Sequence, residues 1–417
     1  MVDRTTSSPV FPSRVLSRSP PKRSAVRTFE ETPDGTRSWI AAGVGAVAMV
    51  FTFGTPLSYG ILQGPVSGTL DVSPVAASTI FSAMLFTFFI GSGVVGVVTT
   101  RVSARLLLFV CAAATAMIAP SLFVVESYAG LVVVFAILGL ALGTAFIVVA
   151  SVVPRWFDER RGAATGVIFV GNGLGLTVLP PAWQYAISTV GLREAFLVIT
   201  SLTAVAFGLA AVFCGRPTWA EGTGGSLGDV FAWVRELIGT RRFQLLFVGM
   251  SLAFAWYQLL AAYAVGLFAS RGLTETAASL TFGLIGGVSI VSRLGGGYVA
   301  DRIGSRRAFL WSLALTSVGV AFLFAPQTSL LAVSVILVGL GLGGTATLYI
   351  PLLMETYDPR KDTAIVGIFN VAVGIGALAM PPLGTASVVI TGGYTGAVLL
   401  TLVVVVAGFV TVVIGTR

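Results

Sequence analysis

The strongest constraint on this chain is where its charges are missing. Apolar residues run in long blocks, and almost every Asp, Glu, Lys and Arg falls in the short stretches between them. An α-helix needs about 20 apolar residues to cross a bilayer core. It also closes its own backbone hydrogen bonds, which lipid cannot do for it. The blocks lack the two-residue alternation of a membrane barrel strand. Only 10% of residues are charged, against roughly 25% in soluble domains, so a water-facing surface could not be covered. The spacing predicts spanning helices near 39–63, 76–98, 105–125, 129–152, 163–189, 194–213, 243–269, 275–299, 308–326, 329–353, 364–390 and 393–414. The expected fold is therefore all-α and integral to the membrane, with twelve transmembrane helices in two six-helix bundles.

Four segments follow. Residues 1–38 are rich in Arg, Ser and Pro and read as a disordered basic cytosolic tail, in preference to an organelle transit peptide. The bundles occupy 39–213 and 243–414. Between them, 214–242 reads as a cytosolic linker whose Asp229–Ile238 stretch has the apolar spacing of a short surface helix. With the N-terminus inside, 22 of the 25 basic residues fall on the inner side, and the outer connections hold only Arg193 and Arg271. That asymmetry is the positive-inside pattern. It accounts for the net charge of +8 without nucleic acid, and it places both termini in the cytoplasm of a cell-membrane protein. Cys111 and Cys214 read as small core residues, with no disulfide and no metal. The chain has no histidine, the usual proton shuttle and metal ligand. No catalytic set, cofactor or metal cluster is apparent, so an enzyme is not expected.

The halves also resemble each other. At a shift of 201 residues, Gly143-Thr144-Ala145 falls on Gly344-Thr345-Ala346, Gly166 on Gly367, Pro180-Pro181 on Pro381-Pro382, and Gly96 on Gly297. Parallel duplication of a six-helix unit is the plan of one large class of carriers, which bind substrate between the halves near the midplane.

After the eighth block the chain reads Gly297-Tyr-Val-Ala-Asp301-Arg302-Ile-Gly304-Ser-Arg306-Arg307. This resembles the signature loop of the major facilitator superfamily, G-x-x-x-D-R-x-G-x-R-R. The resemblance implies a gating role for Gly297, Asp301, Arg302, Gly304, Arg306 and Arg307, with Glu355 at the inner end of the tenth block as a partner. The first half keeps Gly96 and Arg101 but has Thr100 where the acid should be, so the latch is expected to be one-sided. Pro154–Gly166, Gly191-Leu-Arg193-Glu-Ala-Phe196, Met354-Glu355-Thr356 and the paired prolines are similar to monocarboxylate porters and oxalate/formate-type antiporters.

Every acidic residue lies in a tail, a loop or a helix end; the one charge deep in a block is Arg293. It precedes Asp301 by eight residues, about 12 Å at 1.5 Å per residue. An ionised Arg in lipid costs several kcal/mol, so it should face a wet cavity and meet an anion. Pairing with a buried carboxylate has no candidate, and snorkelling to the inner surface is hampered by the depth. Gly286, Ser289 and Gly297 share its helix stripe. The forked guanidinium suits a carboxylate. The resembled porters carry an Arg at this place, but many have an acid where this chain has Ser289, and animal members have a Lys where it has Leu57. The second cation of the oxalate antiporters is missing near Val373, and the repeat puts Ser92, not a second Arg, opposite Arg293.

The expected function is secondary active or facilitative transport of a small organic anion of the monocarboxylate type, bound by Arg293. Without a buried acid or a His, no side chain is apparent for proton coupling. Further substrate-binding candidates are Ser289, Asn370, Asn172, Tyr257, Tyr349, Phe53 and Leu57. The alternatives are packing for the aromatics and interhelical hydrogen bonds for the two Asn. The expected partners are the anion and the bilayer, with the chain acting as a monomer. A drug or other small-solute exporter, or a non-transporting receptor on the same fold, are the competing readings.

Overall fold

A computed structural model describes residues 32–98, 102–217, 235–357 and 362–417. Thirteen α-helices of two turns or more are described: α1 Thr36–Leu57, α2 Tyr59–Thr69, α3 Pro74–Val98, α4 Ala104–Ile118, α5 Tyr128–Val152, α6 Arg161–Val190, α7 Leu192–Phe213, α8 Arg241–Ser270, α9 Glu275–Ile303, α10 Ser305–Phe322, α11 Thr328–Thr356, α12 Asp362–Thr391 and α13 Thr395–Gly415.

Among the described residues, eleven helices are long and apolar enough to cross a membrane. The twelfth span is α10. Its 18 residues reach about 27 Å, close to the core thickness of about 30 Å, and Arg306 and Arg307 lie in its first turn. It packs on α11 and α13 as α4 packs on α5 and α7.

Two expected elements differ in detail. The single helix over 39–63 is two, α1 and α2, interrupted at Ser58. Pro56 has no N–H to give, and its ring crowds the preceding turn. The Ser58 hydroxyl donates to the Gly54 carbonyl at 2.6 Å. The expected loop after the eighth span is a single residue, Gly304, at φ +84°, a conformation open to glycine. Gly297, Asp301 and Arg302 therefore lie on the last turns of α9, and α10 begins three residues earlier than its spacing predicts.

The halves repeat one another at atomic contacts. A Cβ on Gly175 would run into the Val50 carbonyl; one on Gly376 would lie 3.0 Å from the Ser251 carbonyl. Both members of that pair are 201 residues apart. Gly143 likewise abuts the Phe88 carbonyl, and Gly343 the Ser289 carbonyl. By this contact Gly143 corresponds to Gly343, one residue short of the 201 register. Between halves, α3 lies along α12 and α6 along α9. Gly93 approaches Gly367, and Leu294 faces Gly166 at the repeat-related place.

On the side of the termini, the first half is tied down by residues expected to be a loose tail. Asp34 adopts φ 58°, and its carboxylate accepts the backbone N–H groups of Asp158, Glu159 and Arg160 at 3.0–3.2 Å. Its own N–H donates to the Trp156 carbonyl. The Trp156 indole N–H donates to the Gly215 carbonyl at 2.8 Å, and the Arg37 guanidinium sits 5.4 Å from the Trp156 ring centre. Local desolvation would raise the Asp34 pKa. The three N–H donors, with nearby Arg160, outweigh it and hold the pKa below the ordinary carboxylate range. Residues 1–31 of the tail, and 229–234 of the expected surface helix, lie outside the described residues; 235–238 are helical.

Candidate functional site

The halves meet around a cavity of about 100 Å³. A water in the liquid occupies about 30 Å³, so the space suits a few waters or one small solute. Seven of the candidate side chains line it: Phe53, Leu57, Asn172, Tyr257, Arg293, Tyr349 and Asn370. They come from α1, α6, α8, α9, α11 and α12, far apart in sequence. The eighth candidate, Ser289, is fully buried behind the wall and accepts a hydrogen bond from Arg293 Nε at 3.4 Å. Its own hydroxyl donates to the Gly286 carbonyl at 2.6 Å.

The Ser289 contact fixes the direction of Arg293. Side chains on a helix lean toward its N-terminus, and on α9 that points deeper into the protein. The guanidinium reaches back one turn toward Ser289, away from the C-terminal end of α9. Arg293 is 7% exposed, and among the described residues no acidic side chain pairs with it.

Asn370 is differently employed. Its Nδ2 donates to Ser92 Oγ at 3.1 Å, across the boundary between the halves. Its Oδ1 accepts the Tyr349 hydroxyl at 3.1 Å. Ser92 thus occupies the place related to Arg293 by the repeat and serves as an acceptor between halves. Asn172 contrasts with this: neither its Nδ2 nor its Oδ1 has a hydrogen-bond partner, and the same holds for Tyr257 Oη and Gln258 Oε1. Gln258 also lines the cavity and was not singled out from the sequence. Its only signal was position, one residue beyond Tyr257 in an otherwise apolar block.

Around the polar groups the wall is aromatic. Phe53 meets Phe88 and Phe146 edge-on, with ring centres 5.3 and 5.2 Å apart. Across the cavity Phe254 meets Tyr349 edge-on at 5.4 Å. Tyr257 stacks on Phe282 at 6.1 Å, with the ring planes 10° apart.

The two ends of the cavity are unlike. On the side away from the termini, Gln63 donates to Thr385 at 3.1 Å, Gln184 donates to Glu275 at 3.1 Å, and Gly60 packs closely on the Ala261 carbonyl. All three contacts join the halves. On the side of the termini, a cleft of about 730 Å³ runs between the start of α6, the end of α9 and α11. Arg293 borders both cleft and cavity, and Gly297 borders the cleft.

The other candidate gating residues spread over that end. Asp301 is exposed and pairs with no described residue. The Arg302 guanidinium lies 4.2 Å from the Tyr298 ring centre. Arg306 donates to the Thr416 hydroxyl at 2.7 Å, joining α10 to the chain end, and Arg307 is exposed. Glu355 accepts the backbone N–H of Ser305 at 3.2 Å. A carboxylate there favours the positive end of α10. The expected Asp301–Glu355 partnership is thus replaced by a contact between Glu355 and the turn itself.

Twelve spans among the described residues, in two like halves joined around a buried cavity with a cleft on the side of the termini, define a multi-pass membrane transporter. More specifically, the chain belongs to the Major Facilitator Superfamily, whose family model matches residues 43–294 and 245–416. It is 24% identical over 394 residues to human monocarboxylate transporter 2, covering 87% of this chain and 82% of that protein. It is 28% identical over 282 residues to the MFS-type transporter pytF of Aspergillus terreus, covering 65% and 92%. Among solved structures, the nucleoside transporter NupG superposes with a TM-score of 0.70 at 14% identity, over 90% of this chain and 98% of that one. That likeness is one of fold.

Proposed function

We propose that this protein carries a small organic anion of the monocarboxylate type across the cell membrane by alternating access, with Arg293 binding the carboxylate. The observation that carries the reading is a buried guanidinium on a central cavity with no acidic partner among the described residues. Burying an unpaired charge is unfavourable, so a site that keeps one is built for an anion brought from outside. Its two terminal nitrogens match a carboxylate bidentately. Relatives named monocarboxylate transporters support the substrate class.

The remaining residues take supporting roles. Ser289 orients Arg293, Tyr257 flanks it, and Phe53, Leu57 and Tyr349 shape the space. Asn370 holds the halves in register through Ser92. The Gly297–Arg307 stretch and Glu355 form the inner gate. The bundles act as the two rocking bodies, with both termini in the cytoplasm and the chain working as a monomer. Read this way, the outer side is sealed and the inner side open. No acidic side chain lines the cavity, which favours facilitated or exchange transport, or a proton travelling on the acid itself.

The test is a substrate screen in proteoliposomes with Arg293→Ala alongside. Uptake of monocarboxylates should be saturable in the wild type and lost in the variant. Anion transport by Arg293→Ala at the wild-type rate overturns the site. Uphill uptake driven by a pH gradient, with an acid that stays ionised throughout, overturns the uncoupled mechanism.

A further inference from the structure

The cavity contains more polar atoms than a bare carboxylate can use. Asn172 is 1% exposed, and both of its amide atoms are unpartnered; Tyr257 Oη and Gln258 Oε1 are also unpartnered. Buried polar atoms in native proteins are nearly always bonded, so a group of exceptions around one cavity calls for an explanation. Tyr257, Gln258 and Arg293 belong to the second half. Asn172 belongs to the first, on α6. A Cβ at neighbouring Gly173 would run into Ile290, and one at Gly286 would run into Leu176. Asn172 is therefore level with the 286–290 stretch of α9, toward which Ser289 draws the guanidinium. The anion-binding group and the unused amide face one cavity at one depth from opposite halves.

The walls indicate what lies between them. Phe53, Phe146 and Phe169 from the first half, and Phe254 from the second, all line the cavity and are only half-buried. Their edge-on contacts with neighbouring rings hold them in fixed orientations. The cavity adjoins the larger cleft at Phe169, Arg293, Ala346 and Ile350, which gives a ring more room than the cavity alone. A flat ring fills an aromatic-walled space with favourable offset or edge-on contacts.

Resting on the Arg293 reading, we infer that the substrate is an aromatic monocarboxylate bearing a second hydrogen-bonding group on its ring, and that Asn172 is the residue that selects for it. The carboxylate sits on Arg293, the ring lies among the phenylalanines, and the ring hydroxyl or carbonyl meets an amide able both to donate and to accept. Such a ligand ties one half to the other.

The experiment measures binding to the purified full chain by titration calorimetry, using lactate, benzoate, benzamide, and 3- and 4-hydroxybenzoate. Benzoate should bind at least tenfold tighter than lactate. One of the hydroxybenzoates should bind about tenfold tighter than benzoate, the size of one net hydrogen bond. Asn172→Ala should bring the ratio of hydroxybenzoate to benzoate affinity close to one. Asn172→Ser, which keeps a hydroxyl, should retain part of it, with melting curves verifying that both variants are folded. Equal binding of lactate and benzoate overturns the aromatic class. A ratio unchanged in Asn172→Ala, or no preference in the wild type, overturns the role of Asn172. Benzamide binding as well as benzoate would instead overturn the carboxylate reading of Arg293.

Discussion

Replacing Arg293 with methionine keeps an unbranched side chain of similar reach and removes the charge. Two effects follow with opposite signs. In the wild type Arg293 is 7% exposed, and among the described residues its one hydrogen bond to a side chain is a 3.4 Å contact with a neutral hydroxyl. An Arg at the centre of a spanning helix costs about 2.5–3.5 kcal/mol on insertion scales. One such bond returns about 1 kcal/mol. Arg293→Met should therefore stabilise the ligand-free protein by about 1.5–2.5 kcal/mol, raising the melting temperature by about 2–3 °C. The same change removes two charge-assisted hydrogen bonds to the bound carboxylate, each worth about 1.5–3 kcal/mol. At 1.4 kcal/mol per tenfold, affinity should fall by at least about 100-fold. Differential scanning fluorimetry of the purified protein and anion uptake by proteoliposomes read the two effects. A variant that melts lower would show that Arg293 is structural, and one that melts higher but transports normally would show that the charge is not the anion site.

Three further outcomes are expected. Gly175→Ala forces a methyl into the Val50 carbonyl, so it should lose about 1–3 kcal/mol, while Gly376→Ala, with 3.0 Å to the Ser251 carbonyl, should lose less; equal melting shifts would refute the packing argument. Removing the outer seal with Gln63→Ala and Gln184→Ala weakens two hydrogen bonds worth about 1–2 kcal/mol together, so a cysteine placed at Ile61 should react about tenfold faster with an outside thiol reagent; native Cys111 and Cys214 are both buried, and an unchanged rate would refute the seal. Asp34 has a folded-state pKa below the ordinary value of 3.8, so its contribution is present above that value and is lost only as pH falls through the lower folded pKa. Backbone amides 158–160 should thus stay protected from hydrogen exchange at neutral and mildly acidic pH and lose protection in Asp34→Ala; protection that disappears near pH 6 would contradict the sign.

The spans were legible because bilayer thickness imposes a length on every one of them, and the duplication because the same glycines recur where helices touch. Arg293 was legible because a single charge in an apolar block has few uses. The Asp34 clasp was not: its partners are backbone N–H groups 124 to 126 residues away, and a backbone group leaves no trace in residue identity. Gln258 was missed for a related reason. One amide in an apolar block looks like any interhelical hydrogen bonder until its surroundings show no partner for it.

By itself the sequence determined the membrane class, the number of spans, the two-fold repeat and the one buried cation, since each follows from length, hydropathy or charge along the chain. Only the tertiary structure decided which polar groups are already satisfied. It gave Asn370 to Ser92 and Tyr349, gave Glu355 to the Ser305 turn, and left Asn172 and Gln258 with unpartnered atoms on the cavity that Arg293 also lines. The physical reason is that a hydrogen bond is made in space. Residue type sets what a side chain can donate or accept, and the packing of distant helices sets whether anything is there to meet it.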